Sequence, residues 1–187
     1  MSASGYLHNQ CLIAMPTLAD PNFSHSVTCI CEHNDQGALG LIINRPSELH
    51  LSDIMAQMEL DAPVRAELDA LLFFGGPVSP ERGFVLHPAD AGWSATLQVS
   101  DEISVTSSRD ILGALARGEG PADFLIVLGY AGWGPGQLEQ EMLDNAWLSL
   151  PTDSELLFRT PWERRWEVAA GLLGVDLTRL SGQAGHA

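Results

Sequence analysis

The run Phe124-Leu125-Ile126-Val127-Leu128 limits this chain most, because it is apolar at every position instead of alternating. A strand with one face in water alternates, so a continuous run predicts a strand covered on both faces at the centre of a sheet. Other short apolar runs supply its neighbours. Gln10–Met15 ends at Pro16, and Ala38–Ile43 ends at Asn44-Arg45-Pro46. Proline cannot donate to a ladder and holds the preceding residue extended, so both runs read as stopped strands. Val27–Glu32 joins the second of them through Asn34-Asp35-Gln36-Gly37, a hairpin turn. Leu71–Phe74 and Gly83–His87 flank a turn-rich stretch, and Thr96–Val99 with Ile103–Thr106 alternate around Ser100-Asp101-Glu102. Trp147–Leu150 and Glu155–Phe158 read as two last strands across Pro151-Thr152-Asp153.

Helical spacing is rarer. Ile54, Met55 and Met58 follow Ser52 and predict a short helix before Pro63. Ser107 and Asp110 make a capping box ahead of Ile111, Leu112 and Leu115, with Gly118 as the stop, which predicts a helix over about 108–117. Gly134 as N-cap, Pro135 at the first helical position and Gln137 at the third open another through about Leu143. Thr160, Pro161 and Glu163 open the last one, whose buried stripe is Trp162, Trp166, Ala169, Leu172 and Leu173. Hairpins outnumber strand–helix–strand units. The expected fold is therefore α+β, a single domain over residues 1–187 with its core at about 10–174 and flexible ends. Its sheet should be curled, mixed but largely antiparallel and partly barrel-like, packed with several helices.

Charge removes several functions. The net charge is −15, from 24 acidic residues against nine basic ones, and every basic residue is arginine. Nucleic-acid affinity depends on neutralising phosphates, so direct DNA binding is not expected of so acidic a chain. Without lysine there is no Schiff base, no P-loop and no Ser-Lys nucleophile pair. No apolar stretch approaches the roughly 20 residues of a membrane span, and the first residues carry no basic run with an apolar core, so a cytoplasmic protein without membrane contact is expected. Cys11, Cys29 and Cys31 are an odd set in such a chain, and Cys29 and Cys31 share one face of a predicted strand. Buried, reduced thiols are expected. No second Cys or His pair stands at zinc-ligand spacing, and neither a metal nor any other cofactor is expected.

The segment from Gly129 to Glu139 runs from the central strand through a glycine-rich loop into a helix start, the setting in which backbone N–H groups can cradle an anion. Its glycine spacing is not a dinucleotide fingerprint. Asn44-Arg45-Pro46 and Gly75-Gly76-Pro77 also end strands. If these loops converge, Asn44, Arg45, Gly75, Gly76, Gly132, Trp133, Gly136 and Gln137 would form one ligand or partner site, with the fork of Arg45 on a carboxylate or phosphate. A small anionic ligand or a protein is the partner implied. Acid–base candidates are His25, His33 and His87, with Asp20, Ser24 and Ser26 near the first. Neither Gly-x-Ser-x-Gly nor His-Glu-x-x-His occurs, and no catalytic residue is assigned.

Taken in order, Asn44-Arg45-Pro46, Gly75-Gly76-Pro77-Val78, Gly129-Tyr130-Ala131-Gly132-Trp133 and Gly136-Gln137-Leu138-Glu139 resemble the bacterial YqgE/AlgH family. Asp20-Pro21 with Phe23, His33 with Gly37-Ala38-Leu39-Gly40, Trp147 and Arg165-Trp166 extend the resemblance to about Gln10–Gly174. The resemblance implies a bacterial, cytosolic, single-domain α+β protein with a proposed regulatory link to the exopolysaccharide alginate. It implies no catalytic residue. Proximity to a resolvase-like nuclease through gene neighbourhood makes a protein partner the implied one. A non-enzymatic regulatory or binding module is thus the expectation, and an enzyme taking a small anionic substrate in a glycine-rich cleft is the alternative.

Overall fold

A computed structural model describes residues 6–18, 20–60, 63–89 and 92–176. Strand β9 (Leu125–Trp133) is the axis of the molecule. One edge pairs antiparallel with β6 (Val78–Pro88). The other edge is shared in succession by β5 (Leu71–Phe74), parallel at Val127 and Leu128, and by β3 (Gly37–Ile42), antiparallel from Ala131 to Trp133. The apolar run is therefore central, as its lack of alternation requires.

From β3 the sheet continues through β2 (Val27–Asn34) and β1 (Gln10–Ala14) to β10 (Trp147–Pro151). From β6 it continues through β8 (Ile103–Thr106) to β7 (Thr96–Gln98), while β4 (Pro46–His50) pairs β5. All pairs are antiparallel except β5 with β9, and the sheet curls into a half-barrel. Helices α1 (Leu51–Gln57) and α2 (Arg109–Ala116) cover one side around Leu51, Ile111, Leu115 and Ile126. Helix α3 (Gln137–Leu143) covers an aromatic cluster, and α4 (Arg165–Leu172) closes the main core, which contains Cys11, Leu41, Leu86 and Val127. No helix of the described residues is long and apolar enough to cross a membrane.

Several local expectations change. Gly129–Trp133 is not a loop: β9 runs on through it, because β3 and β6 supply ladder partners for its backbone. Helix α3 begins at Gln137 with Gly136 at the N-cap, not at Pro135. Glu155–Arg159 forms a π-type helical turn in place of a strand, opened by Asp153, whose carboxylate accepts from the amides of Glu155 and Leu156 at 2.7 and 3.3 Å. The last helix opens as a short 3-10 turn, and its far end leaves Leu172 and Leu173 exposed, so the buried stripe ends at Ala169 and Ala170. Ser108, one residue beyond the expected position, is the N-cap of α2.

Candidate functional site

The seam where β3 and β5 share β9 brings Asn44, Arg45, Gly75 and Gly76 together. Phe74 N–H donates to the Arg45 carbonyl at 2.7 Å, and Ile42 N–H to that of Gly75 at 2.8 Å. Asn44 clips two strands together: its side-chain carbonyl accepts from Val27 N–H and its amide donates to the His25 carbonyl, each at 2.9 Å. The Arg45 guanidinium is wrapped by the 20–25 loop, donating to the carbonyls of Pro21 at 3.0 Å, Ser24 at 2.8 Å and Asn22. Burial lowers its pKa, opposed by the charge of Asp20. Three of its five N–H donors are thus bound to backbone, which leaves little of the fork to meet an anion.

The glycines answer to close approach of backbone. A Cβ on Gly76, where φ is 156°, would lie 2.1 Å from the Tyr130 carbonyl carbon, and one on Gly75 2.4 Å from the Gly129 oxygen. Both glycines let the chain lie flush on β9 where its neighbour changes from β5 to β3. Gly132 and Trp133 lie farther along the strand, opposite Leu39 and Ala38. Trp133 is buried against Phe23 and Trp147, with ring centroids 6.1 Å away in each case. Gly136 is left-handed at φ 74°, and the Gln137 side chain accepts from Gly134 N–H at 3.0 Å, closing the turn into α3.

The histidines separate into different settings. Exposed His25 receives a Ser24 hydroxyl contact at Nδ1, 2.9 Å, and lies 4.5 Å, centroid to centroid, from Trp166. Buried His33 accepts from Leu7 N–H at Nδ1, 2.8 Å, so its Nε2 carries the hydrogen toward Glu139, also at 2.8 Å. Glu139 is held below the ordinary carboxylate range by its own backbone amide and by His33, against a partial desolvation. His33 thereby ties the start of the chain to α3. His87 is fully buried on β6.

Cys11 and Cys29 stand directly opposite on β1 and β2, and with Cys31 they are free and buried in the main core. Hydrogen bonding to Cys29 and burial push the Cys11 thiol up. At Cys29 a lowering contact from Cys11 is outweighed by Cys31 and burial. The thiols of Cys11 and Cys29 are accordingly poor nucleophiles. No cluster suited to a metal occurs among the described residues.

Sequence reasoning did not single out the other side of β6. There a cleft of about 570 Å³ lies between α1, α2 and β6, with Leu49, Ile54, Met58, Leu112 and Leu128 as apolar lining and Arg82 and Arg109 as its cations. Glu81 and Ser107 add polar groups. Arg82 also borders a smaller cleft of about 330 Å³, lined by Phe84, Leu97 and Val105, and its guanidinium lies 5.2 Å from the Phe84 ring centre. Arg65, Arg117 and Arg159 pair with carboxylates and Arg45 and Arg165 with carbonyls, whereas Arg82, Arg109 and Arg164 have no side-chain ion pair or hydrogen bond among the described residues, and of these three only Arg82 and Arg109 border the cleft. One signal was available. Arg109 is the first residue of α2, where the helix dipole disfavours a cation, so helix stability does not account for it.

The AlgH-like family model matches residues 11–178. A UPF0301 protein of Methylococcus capsulatus is 57% identical over 99% of this chain and 98% of its own length. One of Thioalkalivibrio sulfidiphilus is 56% identical over the whole of both chains. The solution structure of the AlgH protein from Pseudomonas aeruginosa superposes with a TM-score of 0.82 at 49% identity, covering 100% of this chain and 99% of that one. A Corynebacterium diphtheriae protein shares the fold at 20% identity, with a TM-score of 0.74 over 97% of this chain and 94% of its own. The chain belongs to the AlgH-like family.

Proposed function

We propose that this AlgH-like chain is a non-enzymatic binding module whose ligand is a small organic anion with an apolar body, held in the cleft between α1, α2 and β6. The observation that carries the reading is the pair Arg82 and Arg109, two guanidiniums without a counter-ion among the described residues, bordering one apolar cleft in a chain of net charge −15. Self-repulsion in so acidic a molecule is relieved locally there, and an arginine fork suits a carboxylate or phosphate. Leu49, Ile54, Met58 and Leu112 offer an alkyl group about the burial energy of a core side chain. Fixed charge and apolar surface dominate this lining, and it contains no histidine, which favours binding over acid–base chemistry. A regulatory role connected with alginate production follows the family resemblance, with occupancy of this cleft as the signal passed to a protein partner.

Thermal-shift measurements with octanoate, hexyl phosphate and neutral hexanol test the reading. Stabilisation by the two anions, absent with hexanol and lost in Arg82→Ala and Arg109→Ala, is the expected result. Equal shifts in the wild type and both variants would place the ligand elsewhere.

A further inference from the structure

Strand β6 separates two apolar interiors. Phe84 and Leu86 belong to the main core and Val85, between them, to the core under α1 and α2, as alternation along a strand requires. Each interior opens at the surface. The 570 Å³ cleft carries Ile54, Leu112 and Leu128 of the helix-covered side, and the 330 Å³ cleft carries Phe84 and Val105 of the other. Leu97 is opposite Val105 and therefore on the same face; it borders the smaller cleft and is 43% exposed.

Two residues, Arg82 and Ser107, line both clefts. The register explains how one pair reaches both faces. Pairing of β6 with β8 ends at Val85 and Thr106, so Arg82 and Ser107 stand just past the end of that ladder. Arg82 also falls within the shift of register between β6 and β9, from Val78 to Gly83. Resting on the reading of the larger cleft as an anion site, we propose that the ligand is a monoanion with two apolar arms, of the phosphodiester class. Its charged centre lies at Arg82 and Ser107, with Arg109 on the side of the larger cleft, and one arm enters each cleft. A diester carries its charge between its arms, which matches a guanidinium set between two apolar clefts, and its anionic oxygens suit the Arg82 fork and the Ser107 hydroxyl. The arms lie on opposite faces of β6, so the ligand is taken as a free molecule. In a bilayer the two chains of a lipid run side by side, and one leaflet does not reach both faces.

The test is a titration of the full chain with dihexyl phosphate and with hexyl phosphate, followed through backbone amide resonances. Dihexyl phosphate should shift Leu97 and Val105 as well as Ile54 and Leu112, whereas hexyl phosphate should shift only the second pair. The second arm should tighten binding about tenfold or more. Leu97→Asn, at an exposed position, should weaken dihexyl phosphate about fivefold or more and leave hexyl phosphate unchanged. Dihexyl phosphate binding no tighter than hexyl phosphate, shifts confined to one face, or unchanged dihexyl phosphate affinity in Leu97→Asn would each overturn the proposal. Binding of hexyl phosphate alone leaves the larger cleft as an anion site and removes only the second arm; binding of neither ester removes both readings.

Discussion

At the β3–β5–β9 seam, Asn44 and Arg45 are bonded to backbone and the glycines touch main chain, whereas across β6 two arginines border open clefts without a partner among the described residues. Both regions are rich in residues that sequence reading associates with ligands. Their difference lies in what the fold already asks of them. At the seam a strand changes neighbours, and that junction needs glycine for close approach and fixed donors for the carbonyls it strands. Motif density there reports architecture. Across β6 the secondary structure is satisfied without Arg82 or Arg109, so their charge is available to something else.

The comparison predicts a gradient of stability effects. Gly76→Ala should be the most damaging, because its Cβ would overlap the backbone of Tyr130; a loss of about 4 kcal/mol or more is expected by denaturant unfolding. A well-folded Gly76→Ala protein would break the account of the seam. Arg165→Leu comes next. Arg165 is buried, its pKa is lowered to about 10 by burial, and it donates to the carbonyls of Leu156 at 3.1 Å, Leu157 at 2.9 Å and Ile43. Removing those donors strands three buried carbonyls, and a loss of about 3 kcal/mol should appear in the same measurement.

Arg45→Ala should cost about 1–2 kcal/mol, since the loop it holds is partly exposed, and hydrogen exchange should quicken over residues 20–25. Asp110→Ala should cost about 1 kcal/mol through loss of the hydrogen bonds its carboxylate accepts from Ser94, Ser108 and Ile111 at the start of α2. Desolvation raises the Asp110 pKa, but hydrogen bonds from Ser108, Ser94 and Ile111 outweigh it, leaving the folded value below the usual one. The stabilisation is therefore full above about pH 4 and is lost as pH falls through that lower folded value, which acid titration of wild type against Asp110→Ala should show. Arg82→Ala and Arg109→Ala should change stability least, within about 0.5 kcal/mol. A large loss in either would mean that the cleft arginines are structural too, erasing the contrast.

Much of the architecture was legible in the sequence because short-range physics sets it. The unalternating Phe124–Leu128 run marks the central strand, and Asn34–Gly37 marks the hairpin between β2 and β3. Gly129–Trp133 was read as a loop because glycine weakens strands locally; only the long-range ladder with β3 and β6 holds it extended. Glu155–Phe158 looked like a strand because a short apolar run after a turn fits a strand or one helical turn alike, and the hydrogen bonds that Asp153 accepts decide between them. For Arg45 the sequence shows a cation beside proline but not the three carbonyls that fold around it. Arg82 and Arg109 are 27 residues apart with no shared motif, so only the packing of α2 beside β6 brings them to one cleft.

The most direct test of where ligands act is an amide-resonance titration with hexyl phosphate on three proteins: wild type, Arg45→Ala, and Arg82→Ala with Arg109→Ala combined. Saturable shifts around residues 80–83 and 107–112 in wild type and Arg45→Ala, and none in the double variant, is the predicted result. Shifts centred on residues 44–45 and 75–76 that persist in the double variant and vanish in Arg45→Ala would contradict it.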